Sequence, residues 1–212
     1  MTDRYTTSHL PEDQYEPGSN NTVLSNRIGI TDLLIMGEVE TNELWSTQDK
    51  LFTEISIDHS FTATDICGMH RKWLDKIYAW AGKYRSVNIS KGGFGFAQAL
   101  HIPGLMDEFE MQQLRVYTPC NFTDMDQITH ALAEVHVELM LIHPFREGNG
   151  RLGRMLATLM ALQASLPILD FSGWDGKQQE TYFAAVRAGM DRDYTPMQEL
   201  FACIIEDSLQ IS

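Results

Sequence analysis

The sequence predicts a mainly α fold carrying one β-hairpin, and three observations lead there. Apolar residues recur at helical spacing along most of the chain, most clearly Met125, Ile128, Leu132, Val135, Leu139 and Ile142. Helix punctuation brackets such runs, with Pro103, Pro119, Pro144 and Pro196 and a terminal Gly82. One stretch, residues 86–97, reads instead as paired strands, SVNIS and FGFA flanking Lys91, Gly92 and Gly93.

In chain order, residues 1–22 are polar and carry Pro11, Pro17, Gly18 and an Asn pair, which reads as an extended or poorly ordered lead-in. Residues 23–212 are read as a single domain. The pattern Leu33, Leu34, Met36, Val39, Leu44, Leu51, Phe52, Ile55 predicts helix over about 29–57, with a break near Trp45–Thr47. Thr64 and Asp65 are expected to cap a helix carrying Ile66, Met69, Trp73, Leu74, Ile77 and Trp80, ended by Gly82. The aromatic residues there could stack nucleic-acid bases, but their helical spacing favours the core. After the hairpin, Pro103 opens a helix to about Tyr117. Thr123 and Asp124 start a long central helix, and its heptad-like apolar stripe suits a seam buried among other helices. A further helix is expected from Lys177 to Ala188. A last one begins at Thr195, with Pro196 at its first position and Gln198 completing a capping box.

Bulk properties narrow the function. The chain has 212 residues, 43% of them hydrophobic, which is enough for one domain with a real core. The net charge of −13 argues against non-specific binding to nucleic acid or to an anionic membrane. Neither a membrane-spanning apolar run nor a signal-peptide pattern is present. Three widely spaced cysteines form no metal-ligand pattern, and a reducing cytosol is the expected setting.

The chemistry concentrates in residues 143–154, HPFREGNGRLGR. Pro144 disfavours helix at His143, so the central helix should end there and hold the imidazole at its tip. Gly148 and Gly150 permit turns and close approaches. The next helix then starts with free N–H groups and a positive dipole end, which suit an anion. Arg151 and Arg154 share a face of its first turns, and two guanidinium forks match a polyphosphate. Glu147 is a hard oxygen ligand of the kind Mg²⁺ on phosphates requires. Each residue taken singly has an ordinary reading as a cap, a turn or a solvated ion pair, but all are needed at once within this short stretch. Gly148, Gly150 and Gly153 also match GxGxxG, but a helix and not a strand precedes them, so a dinucleotide fold is rejected. His136 could share a face with His143, but no third ligand is spaced for a metal, and a packing or helix-surface role is expected.

HPFREGNGRLGR resembles the Fic-family signature HPFx[DE]GNGRxxR at every specified position. A weaker resemblance runs from about residue 20 to about 205 and includes VNISKGGFGFA, which is similar to that family's flap. The resemblance implies a Fic-type helical bundle whose hairpin flap covers the active site. It implies transfer of AMP from ATP to a Tyr, Thr or Ser hydroxyl of a target protein, with release of pyrophosphate. His143 would be the general base and Glu147 the Mg²⁺ ligand. Gly148, Asn149, Gly150 and Arg151 would contact phosphate, and Arg154 the γ-phosphate. Ile89 and Lys91 of the flap would position a protein substrate. Many Fic proteins are restrained by a Glu in [ST]xxxE[GN]. The nearest spacings here, Ser8 with Glu12 and Thr195 with Glu199, lack the final Gly or Asn. The resemblance therefore implies either a toxin-type chain restrained by a small antitoxin partner that supplies the Glu, or an uninhibited enzyme, and the harm of unregulated transfer favours the partner. Its setting would be cytoplasmic, or a host cell if the chain is delivered as an effector. The competing reading is a non-catalytic, nucleotide-binding interaction protein with a vestigial site. DNA binding is more distant, since no basic helix is present.

Overall fold

Asp124 opens the central helix, α5 (Met125–Ile142), by accepting hydrogen bonds from the N–H groups of Asp126 and Gln127. The seam is buried among other helices, as expected, and is wider than the apolar stripe. Thr129, Ala131, Ala133, His136, Val137 and Met140 are buried alongside the predicted stripe, while Met125 is exposed. The reason is tertiary: α5 is surrounded by α3 (Ile102–Phe109), α6 (Asn149–Gln163), α7 (Gln179–Ala188) and α8 (Thr195–Ile211). A helix covered on several sides is apolar on several sides, and each large aliphatic side chain buried there contributes about 1.5–3 kcal/mol.

These elements come from a computed structural model that describes residues 10–174 and 179–211. Its mainly helical architecture with one hairpin is the expected one. Residues 1–9 of the lead-in and Lys177 and Gln178 of the helix expected from Lys177 to Ala188 lie outside the described residues. Residues 10–24 pack on the domain through a 3-10 turn, Pro11–Asp13, and a bridge between Tyr15 and Leu24, and they bury Val23.

Helix α1 (Leu33–Glu54) runs unbroken through the expected interruption at Trp45–Thr47. Met36, Glu40, Leu44, Thr47 and Leu51 are spaced to form one buried face, and α1 packs against α2 (Ala63–Leu74). The cap of α2 lies two residues earlier than expected. Thr62 and Asp65 form a reciprocal capping box, and Thr64 is within the helix. The helix also ends at Leu74, eight residues before Gly82. Ile77, Tyr78 and Trp80 are buried from turns, and their spacing alone does not distinguish such turns from helix. Trp73, Tyr78 and Trp80 are core, as their spacing favoured.

The hairpin is shorter than SVNIS and FGFA suggest. Strands β1 (Ser90–Lys91) and β2 (Phe94–Gly95) pair antiparallel, and Gly92 and Gly93, both at positive φ, make the two-residue turn. Beyond Pro103 the chain runs through α3, a π turn Glu110–Leu114 and the short α4 (Arg115–Tyr117). At the start of α8 the expected capping box is absent. The Tyr194 carbonyl accepts from the N–H groups of Met197 and Gln198, so Thr195 is the first helical residue and Pro196 the second. The Gln198 amide reaches across to Asp126 O and Thr129 Oγ1, a contact with α5 that no local pattern foretells. Among the described residues, no helix is long and apolar enough to cross a membrane.

Candidate active site

The ends of α5 and α6 meet the hairpin and α7 at a cleft of about 670 Å³. Every residue singled out from the sequence lines it: Ile89, Lys91, His143, Glu147, Gly148, Asn149, Gly150, Arg151 and Arg154. Among the described residues, Lys91, Arg146, Arg151, Arg154 and Arg187 bring five cations to its wall against one carboxylate, Glu147. A chain of net charge −13 thus has a locally cationic cleft, suited to a small anion and not to a nucleic-acid surface.

His143 ends α5 in the left-handed region, at φ 52° and ψ 61°. That conformation costs a non-glycine residue about 1–2 kcal/mol and lets the chain reverse directly into Pro144. The Nδ1–H donates to Met140 O at 3.2 Å, which leaves the Nε2 lone pair available. Phe96, on the return arm of the flap, stacks on the imidazole at 3.7 Å between centroids and 17° between planes. Burial pushes the His143 pKa down to about 4, opposed by the bond to Met140 and assisted by the Arg85 charge. The ring is therefore neutral at physiological pH, as a base must be.

Gly148 precedes α6 at φ 85°, and a Cβ there would lie 2.7 Å from the Trp73 ring. Only glycine satisfies both constraints. The first helical bond of α6 is Leu152 N–H to Gly148 O, so the N–H groups of Asn149, Gly150 and Arg151 have no partner within the helix. The Asn149 side chain is not a free phosphate ligand. Its Oδ1 accepts from Phe145 N–H at 2.9 Å and its Nδ2 donates to Phe145 O at 2.8 Å, pinning the loop. What Asn149 has left for an anion is its backbone N–H.

Arg151 is likewise engaged. Its Nη1 lies 2.7 Å from Glu40 Oε2, its Nη2 lies 3.3 Å from Glu147 Oε1, and its guanidinium sits 4.7 Å over Trp73. Glu40 is buried on α1, where it also accepts from Tyr78 O–H at 2.6 Å. Burial and this carboxylate both raise the Tyr78 pKa. Arg154 forms no ion pair among the described residues, which leaves its charge for a ligand. Glu147 Oε1 accepts from Gly148 N–H. No cluster of three or more metal-ligating side chains occurs among the described residues. One carboxylate fits an ion that arrives on nucleotide phosphates and does not fit a metal site built from protein alone.

Sequence reasoning missed three supports. His70 accepts from Gly82 N–H on Nδ1, so Nε2–H donates to Glu147 O; its ring stacks on Phe145 at 3.9 Å. Glu40 orders Arg151 from 111 residues earlier in the chain, a pairing that no local pattern reveals. On the far wall Tyr182 and Phe183 of α7 line the cleft, and Phe183 meets Lys91 Nζ at 5.3 Å. His136 is buried beneath this wall, with Nε2 2.9 Å from the Tyr182 hydroxyl Oη, and it takes the expected packing role.

Burial holds His70 at about 4, His136 at about 3 and His143 at about 4, all below the usual value near 6.5. A depressed folded-state pKa contributes stability that is complete above pH 6.5 and is lost as pH falls toward 4. Each ring then contributes up to about 3 kcal/mol of acid destabilisation at pH 4. Thermal melts are expected to drop steeply over that window, and a His136→Phe variant should show a shallower dependence. An equally steep profile in the variant would mean that His136 is not buried neutral.

A helical bundle whose hairpin overhangs a histidine, a carboxylate and a cationic helix N-terminus defines a phosphate-handling site built on one turn. Residues 60–161 match the Fic/DOC family. It is 26% identical over 144 residues to the probable protein adenylyltransferase Fic of Escherichia coli (strain K12), covering 66% of this chain and 68% of that protein. It is 28% identical over 207 residues to the protein adenylyltransferase VbhT of Bartonella schoenbuchensis. That match covers 97% of this chain but only 40% of VbhT. The same fold occurs in the N-terminal Fic domain of a Bartonella effector protein from Bartonella sp. AR 15-3, with TM-score 0.77, 18% identity, and 98% and 97% of the two chains covered. It also occurs in BepC of Bartonella tribocorum, solved with bound AMPPNP, with TM-score 0.71, 23% identity, and 92% and 97% covered.

Proposed function

We propose that the chain is a protein adenylyltransferase that moves AMP from ATP to a Tyr, Thr or Ser hydroxyl of a target protein. The observation that carries this reading is a neutral imidazole with Nε2 free, beside unbonded helix N–H groups. Relatives named as protein adenylyltransferases support the direction of the chemistry.

In the proposed reaction the target hydroxyl gives its proton to His143 Nε2. The hydroxyl oxygen forms a bond to the α-phosphorus, the bond from that phosphorus to the α–β bridging oxygen breaks, and pyrophosphate leaves. The N–H groups of Asn149, Gly150 and Arg151 face the charge that grows on phosphate oxygens, and they are oriented before the substrate arrives. Arg154 holds the γ-phosphate. Arg151, already paired with Glu40, acts as a fixed wall more than a mobile clamp. Glu147 would hold magnesium, which supplies charge neutralisation across the phosphates when bound. Ile89 and Lys91 would align the target segment from the flap.

The reading is tested by incubating the protein with α-labelled ATP, Mg²⁺ and a cell lysate. A labelled protein band is expected, whereas nucleotide binding without label transfer would favour a vestigial site. Glu147→Ala is expected to raise the Mg²⁺ concentration needed for half-maximal labelling by roughly tenfold or more, as loss of one carboxylate ligand implies. An unchanged Mg²⁺ dependence would show that the ion is held elsewhere.

Control by a separate antitoxin belongs to the same proposal. The Glu12 carboxylate is engaged with Ser86, and Glu199 is exposed on α8. Thr195 is the first residue of that helix and not its cap. No carboxylate among the described residues pairs with Arg154, so a partner's Glu could take that place.

A further inference from the structure

We propose that Arg85 is the positioning residue that fixes the flap and the reacting histidine relative to one another. The proposal rests on reading His143 as the base and the hairpin as the target-aligning flap. Arg85 lies at the foot of the hairpin and is 2% exposed. Its guanidinium has no carboxylate within ion-pair distance among the described residues and is spent wholly on backbone carbonyls. Nε donates to His143 O at 2.8 Å and Nη2 to Ile142 O at 3.3 Å, at the end of α5. Nη1 donates to Val87 O at 2.7 Å on the outgoing arm of the hairpin, and Nη2 also donates to Ala97 O at 2.6 Å on the returning arm. The backbone joins in, with Arg85 N–H donating to Pro144 O at 2.9 Å.

Four donors of one planar fork thus bind two carbonyls of the helix end and one from each arm of the flap. The last carbonyls of a helix lack partners and carry its negative dipole end, so a cation there is electrostatically favoured. Burial still opposes the charge and lowers the Arg85 pKa, the nearest compensation being the Glu12 carboxylate. A sequence needing only a cap for α5 would use an exposed Lys. Burying a guanidinium makes sense when its rigid geometry is what is needed.

The consequence reaches the imidazole from two sides. Arg85 holds the carbonyl of His143, whose backbone is left-handed, and it holds Ala97, the residue after Phe96. Phe96 is the ring stacked on the imidazole. The hairpin itself has only two paired residues per strand, too few to hold its own orientation. Flap direction and histidine placement therefore share one anchor.

The test is Arg85→Lys, which keeps the charge and loses the fork. In the wild type, the His143 ring protons should resonate upfield in NMR spectra because of the Phe96 ring. In the variant that upfield shift should disappear, and the Ala97 amide, which donates to Leu141 O, should exchange faster with solvent. Turnover on a protein target should fall about 10²-fold, as for an ångström-scale misplacement, with the Kd for ATP within about threefold. A folded variant with wild-type His143 shifts and Ala97 exchange overturns the proposal. If Arg85→Lys does not fold, native-state hydrogen exchange on the wild type decides. The Arg85 and Ala97 amides should open with one shared free energy, and clearly separate openings overturn the coupling. The spectroscopic arms need no turnover, so failure of label transfer in the wild type would count against the enzymatic reading alone.

Discussion

Replacing His143 with alanine is expected to reduce AMP transfer by about 10³-fold or more while leaving the Kd for ATP within a few-fold. In the proposed reaction the imidazole addresses the incoming hydroxyl, while the α6 amides and Arg154 hold the nucleotide, so binding and turnover should separate. The same geometry predicts the pH profile. Burial beneath Phe96 holds the imidazole near 4, so the acid limb of kcat/KM should lie well below the ordinary histidine value. Opening the stack with Phe96→Ala should move that limb up toward 6.5. Labelling and nucleotide titration on the two variants check both statements. Equal loss of binding and turnover in His143→Ala would remove the base from the mechanism.

Glu40→Ala is expected to be the most destabilising substitution around the cleft. It strips Arg151 of its closest carboxylate and Tyr78 of its acceptor, both in a largely buried setting. Leaving such a charge without its partner costs about 3–5 kcal/mol. For a chain of this size that corresponds to roughly 10 °C in Tm. Transfer should fall as well, because Arg151 lies in the first turn of α6 and touches Glu147. A thermal melt within a degree or two of the wild type would show that Arg151 is held by Trp73 and Glu147 without Glu40.

By itself the sequence determined the helical class, the hairpin and the stretch that carries the candidate site. All three are local in their physics. Apolar residues at helical spacing need only neighbours in sequence to declare a buried face, and Gly92 with Gly93 declares a turn whatever packs on it. HPFREGNGRLGR could be read because its histidine, carboxylate, glycines and arginines lie within one helix end and the next helix start. Folding moves them little relative to each other. Tertiary structure alone decided what those groups are free to do. Glu40 came from α1 to occupy Arg151, and the Asn149 amide turned back onto Phe145. Phe96 closed over His143, Arg85 tied the returning arm of the flap to the helix end, and Gln198 reached from its own helix to bond α5. Most of these contacts join residues far apart in the chain, and how the helices stack fixes them. Spacing along one chain specifies which face a residue shares with its neighbours in sequence, but not what arrives from the other side of the core.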